Sequence, residues 1–251
     1  MVKGRNGMAP LPTWEQLEAA IPQVAATMSR YLQQVGCVLR PGSVNNTAIA
    51  LRAFAGFLVQ AAPEVTSLAQ VSRRHVEGYK LWLAARPGQN KARVTGSTIA
   101  NRLGGLRMFF LRIDEWGWDD APQRVPMFSG DLPRPDRPLP KGLDDAAAAK
   151  LLRAAQNDKR LLVRVTVEVL LRTGLRVGEF TDLPADAVVL IGAGSWLHVP
   201  VGKLGEDRYL PLHPQLVTLI DQYRTAYVPD SHRLLLPREN GRPLDRHAVT
   251  R

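Results

Sequence analysis

The sequence predicts a mainly α protein with one small antiparallel β-sheet, arranged as two domains. Three observations predict it. Apolar residues recur at helical spacing through most of the first 118 residues, and again over 144–173 and 213–228. Residues 121–142 contain six prolines in twenty-two positions, which no helix or central strand survives. Residues 188–212 alone carry short β-like runs separated by Gly-rich turns.

The first helix is expected over residues 13–35, opened by a capping box of Thr13 with Gln16 and carrying Leu17, Ile21, Val24, Met28 and Leu32 at helical spacing. Pro22 is expected to kink or split it. "RPGS" at 40–43 reads as a turn and residues 44–61 as the next helix. Ser72 caps a third that runs to about Ala85. After the polar, basic loop 86–96, a fourth runs from about Ser97 to Glu115, with Ile99, Leu103, Leu106 and Phe110 as its core stripe. Residues 13–120 thus form one four-helix domain, and 121–141 a semi-rigid linker that carries Arg124, Arg134, Arg137 and Lys141.

The second domain occupies 142–251. Asp144 caps a helix, and Asp158 starts another that Gly174 ends in the left-handed conformation. A short helix follows from about Arg176 to Asp182. "VVLI", "WLHVP" and "RYLPL" read as three strands, the last two joined by the turn "VGKLGED". A helix with Pro214 in its first turn comes next, then a Glu-Asn-Gly-Arg turn and the opening of a further helix at "LDRHAVTR".

The 251 residues carry a formal net charge of +10. Such an excess points to a polyanionic partner. It is concentrated: residues 73–112 hold nine Lys/Arg and one acid, Glu77, a net +8 within forty residues. That run is either a solvated basic face or a nucleic-acid surface, and its single sign favours the second. Lys91, Arg93, Thr98, Arg102 and Arg107 are the candidate DNA contacts within it. Thr98, Arg102 and Gly105 share a helix face, and the Gly104–Gly105 pair allows close approach of either a neighbouring helix or a phosphate backbone. The only cysteine is Cys37, so no internal disulfide is possible, which suits a reducing compartment. No apolar run is long enough for a membrane span, and the first twelve residues lack the apolar region of a secretory signal.

Arg176 and Glu179 stand in an otherwise apolar stretch, "LLRTGLRVGEFTDL". Charges there need partners. A guanidinium fork can bind two phosphate oxygens, with the glutamate one turn on bracing it; alternatively the two form a structural pair. Lys203, in the turn between the last two strands, can reach a cleft as a proton donor to a leaving oxygen, or be a plain surface lysine.

"RTGLRVGEFTDL", followed about twenty-seven residues after its arginine by "VGKLGEDRYLPLHP", resembles the tyrosine recombinases, the phage-integrase family of site-specific DNA recombinases. The resemblance covers about residues 13–251. It implies a four-helix core-binding domain (SAM-like) followed by the N-terminal part of an α+β catalytic domain, clamping double-stranded DNA. By the same resemblance, Arg176 binds the scissile phosphate, Glu179 supports it, and Lys203 protonates the 5′-hydroxyl leaving group. A tyrosine forms a 3′-phosphotyrosyl link, with no metal or cofactor.

The family pattern also requires a His-x-x-Arg segment, a further His or Trp, and the tyrosine, all beyond the hairpin. His247 and Arg251 have a different spacing, and Tyr209, Tyr223 and Tyr227 read as packing residues. The expectation is therefore an enzyme of DNA integration or excision, of a mobile element, truncated before its nucleophile. A non-catalytic DNA-binding remnant or competitor of the full-length enzyme is the alternative; a helical regulator unrelated to recombination is a third. Family members assemble as tetramers on DNA; weak self-assembly is expected here, in the bacterial cytoplasm and on the nucleoid.

Overall fold

The computed structural model describes residues 10–88, 92–134, 139, 142–202 and 206–249. The chain divides into two compact units, one within residues 1–138 and one within 139–251.

In the first unit, α1 (Trp14–Ala20) and α2 (Pro22–Gly36) replace the single predicted helix. The capping box at Thr13 and Gln16 forms, and Ile21 leaves helical geometry (φ −140°, ψ 66°) so that Pro22 can start the second helix. The turn predicted at 40–43 is instead the first turn of α3 (Pro41–Ala61), with Pro41 at N1, where its missing N–H costs nothing. Next come α4 (Arg73–Ala85) and α5 (Gly96–Glu115), started by Ser72 and Thr95. The core holds Leu17, Met28, Phe54, Tyr79, Leu106 and Phe110. α5 lies against α3 closely enough that a Cβ on Gly105 would sit 2.8 Å from Ala50 Cβ. Gly105 thus serves helix packing rather than phosphate approach, whereas a Cβ on Gly104 would meet nothing within 4 Å.

Residues 121–132, within the expected semi-rigid linker, pack on the first unit. Met127 is buried in the helical core and Val125 and Leu132 pack on it. Ser129–Asp131 forms a single 3-10 turn. The Asp131 carboxylate, 4% exposed, takes both terminal nitrogens of Arg73 at 2.5 and 2.8 Å, Lys80 Nζ at 2.7 Å and the Phe128 N–H at 2.8 Å. Prolines exclude regular structure, but they leave the side chains between them free to pack. The end of the predicted linker, 135–138 and 140–141, lies outside the described residues.

In the second unit, α6 (Asp145–Gln156) is capped by Asp144, whose side chain accepts from the Ala147 N–H. α7 (Leu161–Thr173) ends at Gly174 with φ 63° and ψ 22°. After the short α8 (Val177–Thr181) come β1 (Val188–Ile191), β2 (Gly194–Val199) and β3 (Arg208–Pro211) in one antiparallel sheet, order β1-β2-β3, with Val188 opposite Leu197 and Leu197 opposite Leu210. α9 (Pro214–Tyr227) packs on α7, and the chain then pairs backbone with residues 183–185 before α10 (Arg246–Val249). Val165, Val169, Phe180, Leu197, Ile220 and Tyr223 centre the core. The class is as the sequence predicts: mostly helical, with one small three-stranded antiparallel sheet among the described residues.

Candidate functional site

The site begins with how α7 stops. Gly174 turns the chain in the left-handed region and Leu175 goes into the core, so Arg176 emerges in extended geometry (φ −68°, ψ 144°) as the residue that starts α8. One turn later Glu179 comes back beneath it. Its Oε2 accepts the Arg176 backbone N–H at 3.0 Å and its Oε1 accepts Arg176 Nη1 at 2.9 Å. The two predicted residues are therefore in contact, with unequal exposure: the Arg176 side chain is 52% exposed and that of Glu179 8%.

A nearly buried carboxylate needs more than one partly exposed arginine, and the second partner is Arg208, the first residue of β3. Its Nη2 donates to Glu179 Oε2 at 2.8 Å and its Nη1 to Oε1 at 3.4 Å. Arg208 is absent from the sequence reading. The signal was present: a charge in an apolar stretch demands a partner, and Arg208 opens the strand after the turn that carries Lys203. The hydrogen bonds from Arg208, aided by the backbone and side chain of Arg176, hold the Glu179 carboxyl down to about 2, so it is ionised throughout the physiological range. The same contact raises Arg208 above its ordinary value.

Gly202 lies against this carboxylate; a Cβ there would be 3.0 Å from Glu179 Oε1. Lys203, the next residue, and Lys91 in the first unit lie outside the described residues. Arg246, at the start of α10, donates to Asp182 Oδ2 at 2.8 Å and lies over Gly178, where a Cβ would be 3.0 Å from its Cζ. Sequence reasoning treated this segment only as a helix start. Glu168, in the middle of α7, is also buried, between Arg164 at 3.4 Å and Arg172 at 3.1 Å on its own helix.

None of the tyrosines in this unit shares the arrangement. Tyr223 is buried and donates to the Pro237 carbonyl at 2.6 Å, and the Tyr227 ring leans on it at 5.3 Å. Tyr209 follows Arg208 in β3, so it faces the opposite side of the sheet, where it stacks on His198 at 4.9 Å. The His247 backbone N–H donates to Asp245 Oδ1 at 3.0 Å.

In the first unit the basic run is less one-signed in space than along the chain. Arg73 and Lys80 hold Asp131, Arg73 also meets Glu77, and Arg74 meets Glu64 at 3.5 Å. Arg86 lies over the Trp82 ring at 4.4 Å. Thr98 belongs to the cap of α5: its N–H donates to Thr95 Oγ1 at 3.2 Å and the two hydroxyls lie 2.9 Å apart. Arg93 is exposed, while Arg102 and Arg107 are half-buried. Burial lowers the Arg102 pKa, and Arg107 Nε has no hydrogen-bond partner. Among the described residues no group of three or more His, Cys, Asp or Glu is placed to hold a metal ion, and no helix is long and apolar enough to cross a membrane.

Against known proteins, no family model matches. Transposase B of transposon Tn554 from Staphylococcus aureus is 24% identical over 205 residues, covering 80% of this chain and 31% of that protein. Tyrosine recombinase XerD from Pseudomonas putida is 32% identical over 155 residues (59% of this chain, 46% of XerD), and XerD from Caulobacter vibrioides 30% over 145 residues (55% and 45%). Over these stretches the chain is similar to tyrosine recombinases. It spans about a third to a half of the length of these relatives.

Solved structures carry the same fold. The XerH recombinase bound to difH matches with a TM-score of 0.59 at 17% identity, covering 93% of this chain and 63% of XerH. A lambda integrase (75–356) dimer bound to a COC′ core site matches at 0.63 and 14%, covering 89% and 74%. The Tn1549 transposon integrase in complex with circular-intermediate DNA matches at 0.60 and 17%, covering 88% and 73%. The tyrosine recombinase fold thus spans both units of this chain, as the resemblance implies.

Proposed function

We propose that this chain is the core-binding domain and the first part of the catalytic domain of a site-specific DNA recombinase, and that it engages double-stranded DNA. The observation that carries this reading is the Arg176–Glu179–Arg208 cluster. One buried carboxylate shared by two arginines leaves a net positive site, and Arg176 presents its guanidinium to solvent with only Nη1 committed to Glu179. That is the chemistry a scissile phosphate requires: a fork that never deprotonates, braced by a fixed anion. Developing charge on a pentacoordinate phosphorus can be offset by such preorganised cations. Lys203 is the proposed proton donor to the 5′-oxygen, and Lys91, Arg93, Arg102 and Arg107 the proposed backbone contacts on the first unit, with Thr98 orienting the start of α5.

A second reading, binding without cutting, is favoured by the tyrosines: Tyr209, Tyr223 and Tyr227 are engaged in packing or face away from Glu179. Its consequence is a chain that occupies a recombination site or competes with the full-length enzyme, assembling weakly in the absence of DNA and acting on the bacterial nucleoid.

Incubation with a nicked duplex, followed by denaturing electrophoresis, separates the two readings. DNA retention under native conditions without a covalent adduct is expected of the chain itself. An adduct would overturn the non-cutting reading and locate the nucleophile by mass spectrometry. Failure of Arg176→Ala to weaken binding to duplex DNA would overturn the phosphate role.

A further inference from the structure

Glu179 receives four hydrogen bonds, two on each oxygen. Two come from Arg176 and two from Arg208. The arginines are not equivalent. Arg208 spends both terminal nitrogens on the carboxylate, whereas Arg176 spends one, and its side chain is the more exposed of the two, 52% against 36%. Arg208 therefore faces inward and Arg176 outward. Two described residues on either side of positions 203–205 meet the same carboxylate: Gly202 lies against Oε1, and Arg208 donates to both oxygens.

We propose that Arg208 is a positioning residue that acts through Glu179, keeping the Arg176 fork aimed at the DNA phosphate. This rests on the reading of Arg176 as a phosphate ligand. The requirement is geometric as well as electrostatic. Only a guanidinium spans both carboxylate oxygens; an ammonium is a point charge that reaches one. With Arg208 gone, Glu179 has lost half its donors and is free to swing, taking the Arg176 side chain with it. Gly202 meets the same limit from the other direction, since any side chain there would press on Oε1.

The test uses the 251-residue chain, a fluorescent duplex DNA read by anisotropy, and 13C-labelled glutamate to follow the Glu179 carboxyl, assigned by Glu179→Gln. Arg208→Lys keeps the charge and removes the fork. It is expected to weaken DNA binding by about three- to tenfold, in line with the net contribution of one ordinary hydrogen bond, and to raise the carboxyl titration from about 2. Arg153→Gln on α6, which loses a whole charge from an exposed helix, is expected to change affinity less. In an Arg176→Ala background, Arg208→Lys is expected to cost nothing further, because a residue acting through Arg176 has nothing left to position. Loss of affinity in Arg176→Ala with an unaffected Arg208→Lys, or additive losses in the double variant, would overturn the proposal while leaving the phosphate role of Arg176 intact. A silent Arg176→Ala would overturn both.

Discussion

Gly104 and Gly105 are neighbours on one helix, and they predict opposite responses to the same substitution. Alanine replaces glycine in a helix with a gain of roughly 1 kcal/mol from backbone entropy. At Gly104 the new methyl meets nothing within 4 Å, so the gain is kept. At Gly105 it lands 2.8 Å from Ala50 Cβ on α3. That atom is fixed to the backbone and cannot rotate away, so α3 and α5 must separate by most of an ångström. Overpacking of this kind costs about 1–3 kcal/mol. Gly104→Ala is therefore expected to stabilise the first unit by up to about 1 kcal/mol. Gly105→Ala is expected to be neutral to about 2 kcal/mol less stable, the propensity gain set against the clash. The difference between the two variants, about 1–3 kcal/mol, isolates the packing cost because propensity cancels. Urea denaturation followed by circular dichroism reads it as a shift in midpoint at unchanged slope. Equal midpoints would refute the close approach of α3 and α5. A Gly105→Ala chain of unchanged stability but weakened DNA affinity would instead place that glycine against a phosphate backbone.

Asp131→Asn is expected to destabilise the first unit by about 2–4 kcal/mol at neutral pH, since it leaves Arg73 and Lys80 short of their shared anion. Because the hydrogen bonds from Arg73, then Lys80 and the Phe128 N–H, hold the folded-state Asp131 pKa below its ordinary value, its contribution is complete above pH 4 and lost as the pH falls below that. Acid titration of wild type against Asp131→Asn checks this, with the two curves converging at low pH. Gly174→Ala, at φ 63°, is expected to cost roughly 1–2 kcal/mol and to disturb the chain reversal before Arg176, read by thermal unfolding. Arg102→Ala is expected to weaken DNA binding more than Arg40→Ala, because Arg102 lies on α5; equal effects in anisotropy would remove α5 from the interface. DNA affinity is expected to fall with salt, but less steeply than the basic run in the sequence implies.

The elements were legible where a local signal sets them. Helical periodicity marked α3, α5, α7 and α9, the Thr13–Gln16 box and Asp144 marked helix starts, and Gly174 marked a stop. The Pro41 error has the same local origin: proline-glycine reads as a turn, yet proline is equally suited to N1 of a helix, and only the packing of α3 decides. At residues 121–132, proline content reports what the backbone cannot form. It is silent on whether Met127 and Asp131 are buried. At the site, Arg176 and Glu179 are three residues apart and declare themselves as a pair. Arg208 is twenty-nine residues from Glu179, brought there by the sheet, and no local pattern connects them.

The same distinction governs the basic run at 73–112. Charge density along the chain counts cations; affinity for DNA depends on cations that have nothing better to hold. Arg73, Arg74 and Lys80 are committed to carboxylates, two of which, Glu64 and Asp131, lie outside the run where a sequence window does not see them. Arg86 lies over Trp82, and the Arg112 charge acts on the Tyr31 hydroxyl, opposing the upward shift that burial gives it. Arg93, Arg102 and Arg107 have no carboxylate within ion-pair distance among the described residues, and all three are on α5 or just before it. Each phosphate neutralised contributes roughly −0.9 to the slope of log affinity against log salt. With Lys91, which lies outside the described residues, the four proposed contacts give the first unit a slope of about −4, whereas engagement of the whole run would give about −8. A slope near the larger figure would mean that DNA displaces Asp131 and Glu64 from their arginines, and that the ion pairs seen here belong to the free protein alone.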